Sequence, residues 1–313
     1  MPGNEFDLAS PQVGILHHYG PNKTAFEFTS NPQNLAPNVV IFIHGLSNGL
    51  LDVPYIPKLA ESISKSNSDW VLIQLLFKSS YQGWGTSSLK NDTKDISKLI
   101  KYLRSEKGGN RKKVVLLGHS TGCQDTIEYL SKFSHEPNFD EETAIQAGIL
   151  QAPVSDVEGL QVSSKLSIPE FNKLVQEVYD DYISQNKQNH VLPEKFRRIA
   201  FGTPITAYRF YSLSHPRGDD DYFSSYLTSD DYALSFGKIE KPLLVLYGSK
   251  DEFVPDYVNR QKLIDSWKDA TNPKYWSPLS KILQGATHDI GPGSDETAVD
   301  DFIETVLTFI KSI

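Results

Sequence analysis

One serine in this chain stands where a strand is predicted to turn sharply into a helix. Ser120 lies between Gly118 and Gly122, and an apolar run precedes it at residues 114–117. Apolar residues then recur near helical spacing over residues 123–133. A Gly-x-Ser-x-Gly motif between a strand and a helix is typical of a nucleophile elbow, in which the turn lifts the serine hydroxyl above the sheet. The sequence therefore predicts that Ser120 is a nucleophile.

The nucleophile needs a base, because a serine hydroxyl is weakly reactive until an imidazole removes its proton. In proteins with this elbow the base follows the nucleophile in the chain, and it comes last of the three catalytic residues. His288 meets this condition, since it lies in the loop after the last predicted strand, residues 280–283. Loops beyond the carboxyl ends of parallel strands commonly carry functional groups. We therefore predict His288 as the base.

A carboxylate is expected to orient the imidazole, and it should follow the strand before the last one. That strand is predicted at residues 243–247, and Asp251 comes just past the turn that ends it. Glu252 and Asp256 lie in the same loop and are rival candidates. Asp289 is adjacent to the predicted base, where it could form a local ion pair. Asp251 is our prediction for the acid.

Acyl transfer also requires N–H donors for the negative charge that develops on the substrate oxygen. One donor is predicted to be the amide of Thr121, the residue after the nucleophile. The other is expected from the loop after the predicted strand 39–43, with Leu46 as the first choice and Gly45 as the alternative. His44 opens this loop and is interpreted as structural rather than catalytic.

Three other features have simpler interpretations than a catalytic one. Cys123 could in principle be a reactive thiol, but we interpret it as a small buried helix residue. The acidic run 219–221 lacks histidines or further carboxylates at ligand spacing, so we predict a solvated loop or one paired with Arg217 rather than a metal site. Tyr81 and Trp84 follow a predicted strand, where they could form a pocket wall.

Short apolar runs without strict alternation predict buried parallel strands along much of the chain. Helical patterns lie between them, and the last helix is expected to begin at Ser294. Strands that alternate with helices predict an α/β fold with a mostly parallel, doubly wound sheet. The predicted parallel strands cover residues 39–43, 70–76, 114–117, 147–150, 243–247 and 280–283, after an antiparallel hairpin formed by residues 14–19 and 24–29.

The alternation stops after residue 151 for about ninety residues, whereas the usual connection has about two to six. This segment contains one clear amphipathic pattern over residues 171–183, and an aromatic-rich stretch follows over residues 208–226. We interpret the segment as a cap over the active site, and with the elbow it predicts an α/β-hydrolase fold with an inserted cap. The predicted division is a core of residues 1–151 and 242–313 and a cap of residues 152–241.

Composition limits the partners that the protein is expected to have. The formal net charge of −8 argues against binding to nucleic acid. No apolar run reaches the roughly 18 residues of a membrane span. One cysteine in 313 residues and a polar N-terminus without a signal-like apolar region favour a cytoplasmic location. The sequence does not predict the oligomeric state.

Four groups of motifs distributed along the chain carry a resemblance to a known family. They are Gly-His-Ser-Thr-Gly-Cys-Gln-Asp at 118–125, Gly-Leu at 45–46 with Val-Pro-Tyr at 53–55, residues 79–81 with 85–89, and residues 205–209 with 220–225. These motifs resemble a fungal branch of α/β-hydrolases that was formerly a family of unknown function. That branch contains siderophore esterases, which hydrolyse ester bonds in fusarinine-type hydroxamates. The resemblance covers nearly the whole chain and implies a serine hydrolase with the triad Ser120, Asp251 and His288.

Two hypotheses from different classes follow. In the first, the protein is a serine hydrolase that acts on carboxylic esters of a small-molecule substrate without a cofactor or metal; thioester or amide cleavage would use the same residues. A hydroxamate siderophore would then contact aromatic residues and arginines, with Tyr81, Trp84, Tyr208 and Arg209 as candidates and Arg217 as a further one. In the second, the protein is a non-catalytic binding or regulatory protein with a hydrolase fold. The complete triad favours the first.

Overall fold

The computed structural model describes residues 10–313, which contain one sheet of eight strands. Its strand order is β1-β2-β4-β3-β5-β6-β7-β8. The strands are β1 (Ile15–Gly20), β2 (Lys23–Glu27), β3 (Asn38–Ile43), β4 (Trp70–Leu76), β5 (Lys113–His119), β6 (Ala147–Gln151), β7 (Leu243–Gly248) and β8 (Lys281–Leu283).

The sheet is mostly parallel, as the sequence predicts. β1 pairs antiparallel with β2, and β2 pairs antiparallel with β4; the pairs from β4 and β3 through to β7 and β8 are parallel. The central strands are buried on both faces, which explains why their sequences are continuous apolar runs instead of alternating patterns.

Helices cover both faces of this sheet and complete the doubly wound architecture. α1 and α10 pack on one face, and α2, α3 and α9 pack on the other. The helices are α1 (Ile56–Ser66), α2 (Leu89–Arg104), α3 (Thr121–Ser131), α4 (Asp156–Ser164), α5 (Ile168–Val178), α6 (Glu194–Ile199), α7 (Ala207–Ser214), α8 (Ser229–Ala233), α9 (Arg260–Ala270) and α10 (Ala298–Lys311).

The predicted start of the last helix is wrong. α10 begins at Ala298, after Thr297, and not at Ser294. The Ser294 hydroxyl is engaged elsewhere, because it accepts a hydrogen bond from the amide of Thr287 (3.0 Å) and bonds the Thr287 hydroxyl (2.8 Å). Ser294 thus stabilises the loop that carries His288 and does not cap α10.

The segment between β6 and β7 holds α4 to α8 and has an apolar cluster of its own. Phe171, Phe196 and Phe210 lie in that cluster, and Trp84 from the loop after β4 packs among them. The amphipathic pattern predicted one helix over residues 171–183, but α5 ends at Val178 and a π-helical turn continues to Ile183. The sequence patterns did not predict α4, α6, α7 and α8, which have five to nine residues each.

Candidate active site

Ser120 occupies a strained turn at the junction of β5 and α3. Its backbone has φ 53° and ψ −127°, a combination that residues with a side chain rarely adopt. A Cβ on Gly118 would lie 2.1 Å from the carbonyl oxygen of Gly122, and a Cβ on Gly122 would lie 2.2 Å from the carbonyl oxygen of Ile43. Glycine is therefore required on both sides of Ser120, because the turn folds the helix against neighbouring backbone.

The structure brings Ser120, Asp251 and His288 together in one line of hydrogen bonds. The Ser120 hydroxyl donates to Nε2 of His288 at 2.8 Å, and Nδ1 of His288 donates to Oδ2 of Asp251 at 2.8 Å. Of the rival acids, Glu252 instead accepts a hydrogen bond from the backbone amide of His288 (3.0 Å), and Asp256 is exposed. Asp251 is the carboxylate that contacts the imidazole.

The surroundings of His288 change its pKa in two opposing directions. Burial disfavours the charged imidazolium and lowers the pKa, but the charge of Asp251 and its hydrogen bond raise it. The charges of Glu252 and Asp289 add to this rise. The net result is a pKa above the ordinary 6.5. His288 therefore accepts a proton more readily than a free imidazole does.

Two predicted oxyanion donors lie in backbone that borders Ser120. Thr121 is the first residue of α3, so its amide has no partner within the helix. Within residues 10–313, the amide of Leu46 donates no backbone hydrogen bond. A Cβ on Gly45 would lie 2.6 Å from the Ser120 Cβ, which shows how closely this loop approaches the serine.

His44 has the structural role that the sequence predicts. Its Nδ1 donates to the carbonyl of Gly45 (3.0 Å), and its Nε2 accepts from the hydroxyl of Ser80 (2.8 Å). Burial lowers the pKa of His44 to about 4, so the imidazole is neutral. His44 thereby fixes the loop that carries Leu46.

Sequence reasoning missed a polar network that holds the base. Nε2 of Gln151 donates to the carbonyl of His288 (2.9 Å), while Oε1 of Gln151 accepts from the Tyr55 hydroxyl (2.9 Å) and from Nδ1 of His119 (2.5 Å). Gln151 is buried at the carboxyl end of β6. A glutamine that ends a buried apolar strand was the available signal, because such a side chain must find partners.

Cys123 is buried, and its thiol donates to the carbonyls of Gly118 (3.2 Å) and Gln151 (3.1 Å). Burial raises the pKa of this thiol well above its usual value. This confirms the prediction of a small buried helix residue.

A cavity of about 420 Å³ opens onto the Ser120 hydroxyl. The predicted residues Leu46, Ser120, Thr121 and His288 line it. The segment between β6 and β7 supplies a large part of its wall, but through residues other than the candidates Tyr208 and Arg209 that the sequence suggested there. The other lining residues are Ser47, Asn48, His119, Val154, Ser155, Asp156, Gly159, Leu160, Phe201, Glu252, Phe253 and Asp289.

The four candidate pocket residues do not line this cavity. Tyr81 is half exposed on the surface. Trp84 is buried, and its Nε1 donates to the hydroxyl of Ser47, a lining residue, at 3.0 Å. The Tyr208 hydroxyl donates to a carboxylate oxygen of Asp219 at 2.6 Å.

Arg209, the fourth candidate, is buried and pairs with Asp220, which also accepts from the Ser212 hydroxyl. Asp220 is therefore not a solvated residue, contrary to the prediction for the acidic run. The Arg217 side chain pairs instead with Asp231. Charge alone could not reveal that one arginine and one aspartate of this region would be buried together.

Across residues 10–313, no group of three or more His, Cys, Asp or Glu residues is arranged to hold a metal ion. In the same part of the chain, no helix has both the length and the apolar character needed to cross a membrane.

Comparison with known proteins places the chain in a family. Residues 7–311 match the family described as "Protein of unknown function (DUF1749)". The chain belongs to this family. Its relatives include a UPF0613 protein of Schizosaccharomyces pombe, which is 35% identical over 97% of this chain and 99% of that protein. Fusarinine C esterase sidJ of Aspergillus fumigatus is 31% identical over 96% of both chains.

A solved structure has the same architecture. The siderophore hydrolase EstB from Aspergillus fumigatus superposes with a TM-score of 0.80 at 28% identity, and the match covers 96% of this chain and 98% of that one. The chain therefore has the α/β-hydrolase fold, and the resemblance to the fungal siderophore-esterase family is confirmed.

Proposed function

We propose that this protein is a serine hydrolase that cleaves carboxylic esters with Ser120 as nucleophile, His288 as base and Asp251 as the acid that orients the base. The observation that carries the proposal is the line of two 2.8 Å hydrogen bonds from Asp251 through His288 to Ser120, which ends in an open cavity. The nucleophile contacts the base, and the base contacts the orienting carboxylate, as an acyl transfer requires.

In the first half of the reaction, Ser120 Oγ attacks the ester carbonyl carbon while His288 Nε2 takes the hydroxyl proton. The carbonyl oxygen becomes an oxyanion, which accepts hydrogen bonds from the amides of Leu46 and Thr121. Each such donor is worth about 3–4 kcal/mol of transition-state stabilisation in comparable enzymes. The intermediate collapses, and His288 gives its proton to the departing alcohol.

In the second half, His288 removes a proton from water as the water oxygen attacks the acyl carbon. The bond between the acyl carbon and Ser120 Oγ then breaks, His288 returns the proton to that oxygen, and the carboxylic acid leaves. Asp251 holds the imidazole in the tautomer with the proton on Nδ1 and stabilises the positive charge that the ring gains. Gln151 anchors the His288 backbone, so the ring stays oriented while its charge changes.

We further propose that the substrate is an ester in a hydroxamate siderophore and that residues 152–241 act as a cap over it. Two relatives, the fusarinine C esterase and the siderophore hydrolase of Aspergillus fumigatus, support the substrate class. Three stretches of the cavity wall come from the region between β6 and β7, at Val154–Asp156, at Gly159 with Leu160, and at Phe201, which supports the cap. A cytoplasmic location remains the expectation from the single cysteine.

The test is hydrolysis of p-nitrophenyl butyrate and of fusarinine C by the purified protein and by Ser120→Ala. We expect the variant to lose about 10⁴-fold or more in kcat, because removal of the nucleophile leaves only binding and the oxyanion donors. Ser134→Ala is the control, because Ser134 lies beyond the end of α3, its hydroxyl donates to the Leu130 carbonyl, and it does not line the cavity. Ester cleavage retained by folded Ser120→Ala would refute the proposal.

A further inference from the structure

The cavity above Ser120 has an unbalanced set of charged residues. Asp156, Glu252 and Asp289 line it, and its wall includes neither lysine nor arginine. In the part of the chain that the structure describes, none of these three carboxylates forms an ion pair. The wall therefore presents negative charge that no ion pair within residues 10–313 neutralises.

The three carboxyl groups differ in how much charge they carry. Asp156 is 8% exposed, and its oxygens accept from the hydroxyl of Thr121 (3.2 Å) and the amide of Gln124 (2.7 Å). Burial, with the nearby charge of Asp220, raises the pKa of Asp156 to about 8, so this carboxyl is mostly protonated at neutral pH. The negative charge of the wall resides mainly on the other two residues.

Glu252 and Asp289 are held in place on either side of the His288 backbone. Oε2 of Glu252 accepts from the amide of His288 (3.0 Å), and Oδ1 of Asp289 accepts from the amide of Gly291 (2.9 Å). Each of these bonds uses one carboxylate oxygen. Glu252 is exposed and Asp289 is half-buried, so a ligand in the cavity can approach both.

The field of these carboxylates reaches the position where a substrate reacts. Both raise the pKa of His288, which means that they stabilise positive charge on its ring. The same field would stabilise a cationic group of a substrate next to that ring. The aromatic rings of Phe201 and Phe253 also line the cavity, and aromatic faces attract ammonium groups.

The arginine that a siderophore's oxygen atoms were expected to contact is not accessible. Arg209 is 1% exposed and is neutralised by Asp220. Recognition in this cavity therefore cannot depend on that guanidinium group. A positively charged group on the substrate is the feature that the wall complements.

We infer that the cavity selects esters that carry a positively charged ammonium group, and that Glu252 and Asp289 determine this selectivity. The inference rests on the proposed ester hydrolysis and names the chemical class of its substrate. The site is the cavity around Ser120, and the two carboxylates specify which charge it accepts.

Three esters separate the effect of charge from that of size. They are ethyl 6-aminohexanoate, its N-acetyl derivative, which is neutral and bulkier, and its N,N,N-trimethyl derivative, which is charged and bulkier. Hydrolysis of each releases ethanol and the corresponding acid, so a pH-stat measures kcat/KM for all three. We expect both charged esters to exceed the N-acetyl ester by about tenfold at low salt, and this ratio to shrink at about 0.5 M salt.

The role of Glu252 and Asp289 is tested by measuring the same ratio, kcat/KM for a charged ester over that for the neutral ester, in variants of each residue. Because Glu252 and Asp289 border the base, a variant can change overall activity, but that change cancels in the ratio of two substrates. Glu252→Gln and Asp289→Asn should each reduce the preference for charged esters about threefold. Asp256→Asn is the matched control, because Asp256 is an exposed carboxylate of the same loop that does not line the cavity; its ratio should not change.

The selectivity, its assignment to Glu252 and Asp289, and the proposed ester hydrolysis would each be refuted by a different result. If the wild-type protein hydrolyses all three esters equally, or prefers the neutral one, the selectivity is refuted while ester hydrolysis stands. If charged esters are preferred but the ratio stays unchanged in both Glu252→Gln and Asp289→Asn, the assignment to these residues is wrong. If the folded protein cleaves none of the three and none of the esters used to test the proposed function, both proposals fall together.

Discussion

At the scale of single residues, the base of the triad has its position fixed by contacts that lie outside the triad. Gln151 bonds the backbone carbonyl of His288, and Glu252 bonds its backbone amide, so the base is anchored from both sides. The elbow motif predicted Ser120, and chain order with the loops after the last two strands predicted His288 and Asp251, because the fold places the ends of its strands at one edge. Only the structure distinguishes Asp251 from Glu252 and Asp256. Chain order could not predict Gln151, whose role depends on three partners that are distant in the sequence.

The raised pKa of His288 leads to a prediction for the pH dependence of activity. A base must be neutral to accept the proton of Ser120, so activity should fall as the pH drops through the pKa of His288. Because the pKa is raised, the half-maximal point of kcat/KM for an uncharged ester should lie above 6.5. The profile from about pH 5 to about pH 9 measures it.

Glu252→Gln refines this measurement, because it removes one of the charges that raise the pKa. The half-maximal point should then move to lower pH, whereas Asp256→Asn should leave it in place. A flat wild-type profile, or a shift to higher pH in Glu252→Gln, would contradict the role assigned to His288.

At the scale of elements, the elbow is where the sequence and the structure agree most closely. The strand, the turn and the helix were each recognisable, because a buried run, two glycines and a helical period leave separate signals. The start of α10 was not recognisable, since Ser294 resembles a helix cap but its hydroxyl serves the neighbouring loop. A capping residue type does not reveal which amide it contacts.

Gly122→Ala should destabilise the protein by about 3 kcal/mol, because its Cβ would lie 2.2 Å from the Ile43 carbonyl oxygen and β3 or α3 would have to move. Gly237→Ala is the control, since its Cβ would meet its nearest atom at 3.4 Å; we expect a change of less than about 1 kcal/mol. Urea unfolding monitored by far-UV circular dichroism gives both values. Equal stability of the two variants would show that the elbow is less tightly packed than the structure indicates.

At the scale of the whole molecule, the cavity combines parts of the chain that are far apart in sequence. Leu46, Ser120, Phe201 and His288 all line it, although they come from four separate regions. The positions of Leu46, Ser120 and His288 could be predicted, because each follows a strand that the sequence reveals. The sequence could not predict the contribution of Phe201, because the region between β6 and β7 folds around its own apolar cluster and leaves no periodic signal of which residues face the serine.

The buried ion pair in the region between β6 and β7 could not be predicted from the sequence either. Arg209 was expected in the substrate pocket on its charge alone, and it is instead neutralised by Asp220 from a neighbouring loop. Whether an arginine contacts a ligand or a partner in its own chain depends on tertiary packing, which a single sequence does not display. The carboxylates of the cavity wall became evident only from the assembled structure.

The central claim, that Ser120 is an activated nucleophile, is tested most directly by a fluorophosphonate probe and intact mass spectrometry. The serine oxygen displaces fluoride from phosphorus, so one covalent adduct adds a known mass to the protein. We expect a single adduct on the wild-type protein and on Ser134→Ala, and none on Ser120→Ala. A folded wild-type protein that stays unlabelled, or a Ser120→Ala variant that is labelled equally, would contradict the account.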